Sequence, residues 1–299
     1  FSLMRPSNDS EISRLSGLFD YNSSEEIISD LVAVTGLSRE EVLKKMIDEY
    51  FHTGSNVVAD ARAAGIDFHI YNSKMEAFYK KTNAFLFELM AVHQSPLCRQ
   101  IDETIMRYLV SLSNGDKSTI KLLVLGDGIG TDSLRFSRLG FDVTSFEFEG
   151  YSSSLARRRF ERSGAKIKLI HDLDKIPSNA FNFVVCREVL EHVSDPPAVI
   201  ASINRYLMND GYAIITESFT RVEPDFPTHL ESNLKYGGKT VSMFIDAGFT
   251  FAGKIDDERP FVFRKSTASD NARQASVPGR GIFALAMRKI AYSILRRFE

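Results

Sequence analysis

Tryptophan is absent from this 299-residue chain, only two cysteines occur, and no apolar run approaches the ~20 residues a membrane-spanning helix needs. Cys98 and Cys186 lie far apart and outside any CxxC or Cys/His cluster, so neither a disulfide framework nor a zinc knuckle is encoded and a reducing compartment is expected. The opening FSLMRPSNDS lacks the apolar core of a signal peptide, and a cytoplasmic protein is expected. An excess of either charge is missing as well: 37 Lys/Arg against 39 Asp/Glu leave a net charge of -2, with no global attraction to nucleic acid. What is present, 43% hydrophobic and 25% charged residues, suffices to bury a full core and excludes the disordered and fibrous classes. The near-neutral total hides an asymmetry. Seven Lys/Arg against two acids between Lys265 and Glu299 make that tail +5 and the rest of the chain -7.

From Ser10 to about Leu112 apolar residues recur at helical spacing. Ser23-x-x-Glu26 and Ser38-x-x-Glu41 read as capping boxes, Gly36 as a helix end and Pro96 as a helix start. Met75, Phe78/Tyr79, Thr82, Phe85/Leu86 and Leu89/Met90 form one stripe, and Leu97, Ile101, Ile105, Tyr108 and Leu112 the next. The polar stretch from Ser113 to Ser118, with Asn114-Gly115, marks a boundary. Beyond it, the runs KLLVL, DVTSFE, KIKLI, FNFVVC, GYAIIT, TFAGKI and FVFRK alternate with helical segments, which calls for a largely parallel α/β sheet covered on both faces. Ligands of such sheets sit beyond the carboxyl ends of the strands, where the strand order reverses. The expected division is a helical region over 1–117, the sheet domain over 118–265, and a linker and tail helix over 266–299.

KLLVL runs into Gly126-Asp127-Gly128-Ile129-Gly130, and a helical segment follows. Missing side chains let a ligand lie against the main chain, where the helix N-terminus offers unpaired N–H groups. The next strand ends Phe146-Glu147-Phe148-Glu149, about 20 positions on, where a ribose-binding carboxylate belongs. Strand alternation puts the two glutamates on opposite faces, and spacing selects Glu147.

At these motifs the chain resembles the class I S-adenosylmethionine-dependent methyltransferases, over about residues 118–264. LLVLGDGIG matches their glycine-rich first motif, VTSFEFEGYSSSLARRRF their second strand and helix, and FNFVVCREVLEHVSDP with LMNDGYAIITES their fourth and fifth strands. The turn reads G-x-G-x-G, not the G-x-G-x-x-G of dinucleotide-binding dehydrogenases. The resemblance implies a seven-stranded Rossmann-like sheet with a reversed final strand, and S-adenosylmethionine as cofactor. It further implies a cofactor site at Gly126, Gly128, Gly130, Glu147 and Asp172; Asp127 and Arg187 complete the expected site, and Tyr79 is a candidate to close over it, with core packing the plainer reading. Asp172 would meet the adenine amino group, although a helix N-cap explains the same aspartate equally well. One departure stands out: Val124 occupies the position, two before the first glycine, where the family often carries an acid.

After the fourth strand, Glu188, Glu191 and His192 of EVLEH fall at i, i+3 and i+4, on one face if the segment is helical. This form is similar to that of ubiquinone-pathway O-methyltransferases and small-RNA 2'-O-methyltransferases, in which it binds a metal that positions a hydroxyl. The metal expected here is a divalent cation, Mg²⁺ or Mn²⁺, on Glu188, Glu191 and His192, with His229 of FPTHLESN as a distant fourth ligand; caps and surface pairs are the plainer reading. His229 and His192 are also general-base candidates, since an imidazole titrates near working pH. In the tail, Phe283, Met287, Ile290, Ile294 and Phe298 share one face of a basic amphipathic helix over residues 282–298, suited to a partner protein or an anionic membrane surface. The expectation is an O-methyltransferase of a small metabolite or sugar. Open alternatives are a cofactor-binding scaffold without catalysis, N- or C-methylation, and RNA 2'-O-methylation, the last disfavoured for want of an RNA-binding module.

Overall fold

The computed structural model describes residues 7–113, 116–255 and 260–266, with side chains from residue 10 onward. The tail helix expected over 282–298 therefore lies outside the described residues. Seven helices come first: α1 (Ser7–Arg14), α2 (Ser24–Thr35), α3 (Arg39–Phe51), α4 (Ser55–Ala63), α5 (Ser73–Lys81), α6 (Ala84–Gln94) and α7 (Pro96–Leu112). Their boundaries follow local chemistry. Ser38 and Glu41 close a reciprocal capping box on α3, and Ser95 accepts from the Cys98 amide above Pro96 at the start of α7. At α2 the Ser23 side chain accepts from the Glu26 amide, but Glu26 reaches back one residue further, to the Asn22 amide at 2.9 Å. Gly36 ends α2 in the left-handed conformation, at φ +71°.

Two of the expected stripes are redrawn. The Met75–Met90 stripe breaks at Thr82, which ends α5 and whose hydroxyl accepts from the Ala84 amide to open α6. On α7 the buried residues are Cys98, Asp102, Ile105, Met106 and Leu109, while Leu97 is 68% exposed. An acid displaces the apolar pattern there because Asp102 meets two buried guanidiniums from the sheet domain, Arg135 at 2.6 Å and Arg187 at 2.8 Å.

The sheet domain then runs β1 (Lys121–Leu125), α8 (Thr131–Arg138), β2 (Asp142–Phe146), α9 (Tyr151–Ser163), β3 (Lys168–Ile170), β4 (Phe181–Arg187), α10 (Pro196–Tyr206), β5 (Leu207–Thr216), α11 (Thr240–Asp246), β6 (Phe249–Lys254) and β7 (Phe261–Lys265). Seven strands pair in the order β3-β2-β1-β4-β5-β7-β6. β1 to β5 pair in parallel, and β7 runs antiparallel to both of its neighbours. This is the seven-stranded arrangement with a reversed final strand that the family resemblance implies. β1 and β4 are buried through nearly their whole length, because α/β sheets are covered on both faces. The strand order reverses between β1 and β4, so the crevice opens at their carboxyl ends, where the glycine turn and the EVLEH segment begin.

Candidate functional site

The turn after β1 is held against β2: Gly126 and Asp127 both donate to the Phe146 carbonyl, at 3.0 and 3.3 Å. Gly126 and Gly128 adopt φ of +75° and +57°, and a Cβ on either would meet the Val189 or the Leu89 side chain, at 2.5 and 2.7 Å. Gly128 donates to Glu147 Oε2 at 2.7 Å, and Phe148 donates to Glu147 Oε1 at 3.0 Å. These two amides fix the carboxylate at the mouth of the crevice, and each oxygen keeps acceptor capacity for a ribose hydroxyl. Burial raises the Glu147 carboxyl to about 7. His171, which the sequence left without a partner, donates from Nδ1 to the Glu147 carbonyl at 2.8 Å and accepts from Arg157 at 3.0 Å.

Several expected cofactor contacts are used otherwise. The Asp127 carboxylate accepts from the Asp132 and Ser133 amides and the Ser145 hydroxyl, capping α8 from inside, and burial raises its pKa. Gly130, at φ +80°, turns its Cβ direction onto Phe160 and Ala156, so its missing side chain lets α9 pack close. Arg187 bonds Asp102 and Asp132 at 2.8 Å, beneath the turn. Asp172 accepts from the Asp174 amide, the N-cap alternative. Tyr79 stands against His192, its hydroxyl 3.1 Å from Nδ1.

The EVLEH segment is not an α-helix. Glu188 follows β4 in the left-handed region at φ +46°, and a 3-10 turn spans Leu190–His192. The Ser218 hydroxyl, beyond β5, donates to the Glu188 carboxylate and holds that turn. The loop after β5 folds back, so that the His229 ring meets His192 edge to face with centroids 4.7 Å apart. Ligand atoms of Glu191, His192 and His229 then lie within 4.8 Å of one another. Glu188 stands beside this trio: burial and the Glu188 charge together hold Glu191 well above the usual carboxylate range. Both Glu191 oxygens and His229 Nδ1 are buried without a hydrogen-bond partner. Burial keeps His192 below its ordinary value and lowers His229 to about 3, so both rings stay neutral, the form that ligates metals. Val189, within the same segment, covers Gly126, which sets the cluster directly beside the glycine turn.

Sequence reasoning missed the contacts that the N-terminal helices bring. His69 donates from Nδ1 to the His229 carbonyl at 2.8 Å, and the Glu88 carboxyl on α6 is raised to about 7 by burial and by Glu49 behind it. A second trio, His93, Cys98 and Asp102, also has ligand atoms within 4.8 Å. Arg135 and Arg187 already neutralise Asp102, and a divalent cation between two guanidiniums is electrostatically disfavoured. A cavity of about 370 Å³ lined by Arg14, Phe19, Asp20, Arg138 and Arg162 lies away from the strand ends, and its Asp20 and Arg162 are already paired at 2.9 Å.

Residues 97–244 match a family of methyltransferase domains. A ubiquinone biosynthesis O-methyltransferase of Xanthomonas oryzae pv. oryzae is 31% identical over 100 residues, 32% of this chain and 42% of that protein. One of Psychrobacter arcticus is 26% identical over 208 residues, 60% of this chain and 79% of that protein. The chain thus spans about two fifths of the length of the Xanthomonas relatives it matches. Among solved structures, a protein of Pyrococcus horikoshii aligns with TM-score 0.45 and 16% identity over 58% of this chain and 93% of its own. A SAM-dependent methyltransferase of Aquifex aeolicus aligns with TM-score 0.42 and 15% identity over 53% and 86%.

Proposed function

From the premise that this chain carries a methyltransferase domain of the class I family, we propose that it is an S-adenosylmethionine-dependent O-methyltransferase whose acceptor hydroxyl is held by a divalent cation. The observation that carries the reading is the Glu191–His192–His229 cluster, with three buried, unpartnered ligand atoms beside the glycine turn. The names of the relatives, O-methyltransferases of ubiquinone biosynthesis, support transfer to oxygen. A small acceptor is supported by the cover over the cluster, where Tyr79 and His69 of the N-terminal region reach it.

S-adenosylmethionine, when bound, supplies a methyl group already activated on a sulfonium. A divalent cation, when bound, lowers the pKa of an acceptor hydroxyl and fixes its oxygen. The chain's own part is alignment. Glu147 accepts from the ribose hydroxyls while Gly128 and Phe148 keep its carboxylate in place. Glu191, His192 and His229 would hold the cation, with the Glu188 charge beside Glu191. A ring as reluctant to protonate as His229 serves better as a ligand than as a general base. α5 and α6 exclude water through Tyr79, Phe85 and Leu89, and Tyr79 and Phe85 stack at 5.2 Å.

The test has two parts. Calorimetry with S-adenosylmethionine should show binding by the parent, weakened at least tenfold in Glu147→Ala, since hydrogen bonds to a charged acceptor contribute about 1.5–3 kcal/mol. Release of S-adenosylhomocysteine from a pool of hydroxylated metabolites should vanish on exhaustive chelation, return with Mg²⁺ or Mn²⁺, and stay absent in Glu191→Ala. Full turnover by the chelated parent removes the cation from the reading.

A further inference from the structure

A metal-binding imidazole is usually fixed by a bond to its other nitrogen, and the fixing groups are as much part of such a site as the ligands. In this fold part of that fixing comes from the N-terminal helical region. His192 Nδ1 lies 3.1 Å from both the Thr228 carbonyl and the Tyr79 hydroxyl. A carbonyl oxygen only accepts, which assigns the proton to Nδ1, shared between two acceptors, and leaves the Nε2 lone pair free. Tyr79 is itself locked: its ring stacks on Phe85 with planes 6° apart and stands edge-on to His192 at 86°.

His69 acts on the second imidazole through the main chain. Its amide donates to the Pro227 carbonyl at 2.8 Å, its carbonyl accepts from the Glu231 amide at 3.0 Å, and its Nδ1 donates to the His229 carbonyl at 2.8 Å. One residue thus holds 227, 229 and 231 together. It does so at φ +65°, a left-handed conformation that a non-glycine residue adopts only where surrounding bonds hold it. On the opposite side the same loop is tied to the EVLEH segment, by Leu230 donating to the Glu191 carbonyl and Asn233 donating to the Leu190, Glu191 and Val193 carbonyls. The His229 backbone is therefore gripped from both the sheet domain and the helical region.

We propose that Tyr79 and His69 are positioning residues of the cation cluster: Tyr79 sets the His192 ring, and His69 sets the backbone that carries His229. The helical region is then a structural half of the cation site as well as its cover. This rests on the cation reading of the same cluster. It goes beyond that reading by making two residues outside the sheet domain determinants of cation affinity.

The experiment is Mn²⁺ titration of the full chain, followed by electron paramagnetic resonance, without cofactor or acceptor. The parent is compared with Y79F, H69A and H69N, with thermal melting in parallel. The expected result is affinity weakened about tenfold in Y79F and H69A, and restored to within about twofold of the parent in H69N. Asparagine keeps an N–H donor and tolerates the left-handed backbone. If the parent binds no Mn²⁺, the cation reading and this one fall together. If the parent binds and both Y79F and H69A match it, this inference alone is overturned. H69N as weak as H69A overturns the His69 half, because a loop merely needing a bulky filler would not distinguish the donor. Should Y79F fail to fold, the His69 pair carries the decision.

Discussion

Glu88 sits on α6 between Phe85, whose ring backs Tyr79, and Leu89, whose side chain meets Gly128, and its carboxyl lies beside Glu49, Gly54 and Arg221. Burial raises it to about 7, Glu49 adds repulsion, and the Arg221 charge only partly offsets both. An acid whose folded pKa exceeds its unfolded value binds more protons when folded, so its contribution favours the fold at low pH and is lost as pH rises. The window runs from the ordinary 4.5 up to about 7. Glu88→Gln, which carries no charge at any pH, should therefore melt above the parent at pH 8, with the difference vanishing below pH 4.5. Calorimetric melting across that range checks it, and a Glu88→Gln protein no more stable than the parent at pH 8 would show that the carboxylate is already satisfied.

At the level of elements, what was legible in the sequence was whatever neighbouring residues decide among themselves. The Ser38 capping box, the Gly36 helix end and the glycine turn each close within a few positions. The EVLEH spacing fits a helix, but spacing alone does not make one. The left-handed Glu188 is stabilised instead by Ser218, 30 positions away. Tyr79 meets His192 across 113 positions and His69 meets His229 across 160, separations at which no periodicity in the sequence speaks. Gly130 shows the limit from another side, because a glycine in a motif does not reveal what its missing side chain makes room for. Its Cβ direction meets Phe160 at 2.6 Å and Ala156 at 2.8 Å, whereas Gly164, also left-handed at φ +65°, faces nothing within 4 Å. Gly164→Ala should cost about 1–2 kcal/mol from backbone strain alone. Gly130→Ala should cost a further ~1–3 kcal/mol as α9 is forced from α8. Denaturant unfolding of the two variants decides this, and equal losses would mean that Phe160 yields freely.

Across the whole molecule, the helical region and the sheet domain are joined by buried charges rather than by apolar contact alone. Arg159 of α9, fully buried, is bonded by Asp20 at 2.7 and 3.0 Å and donates to the Ile129 carbonyl and the Thr131 hydroxyl beside the glycine turn. Asp30 of α2 bonds Arg158 and Arg162, and Asp102 of α7 bonds Arg135 and Arg187. Two charges removed from water together are costly to separate, since loss of one partner leaves the other uncompensated at about 3–5 kcal/mol. The same pairs tie the glycine turn and β4 to the region that supplies Tyr79 and His69, so loosening the seam should also loosen the Glu191–His192–His229 cluster. Burial alone would raise Asp20, but the bonds and charges of Arg159 and Arg162 hold it below its ordinary 3.8. A carboxyl depressed in the fold contributes stability above its unfolded value and loses it as pH falls through the folded one. Asp20→Asn should therefore be less stable than the parent by ~3–5 kcal/mol at pH 7, with the gap narrowing once the solution falls below pH 3.8. The parent should unfold in one cooperative transition followed equally by far-ultraviolet circular dichroism and tyrosine fluorescence. Two separated transitions in the parent, or an Asp20→Asn gap that does not close in acid, would mean that the halves fold independently and that Arg159 is held by its sheet-domain partners alone.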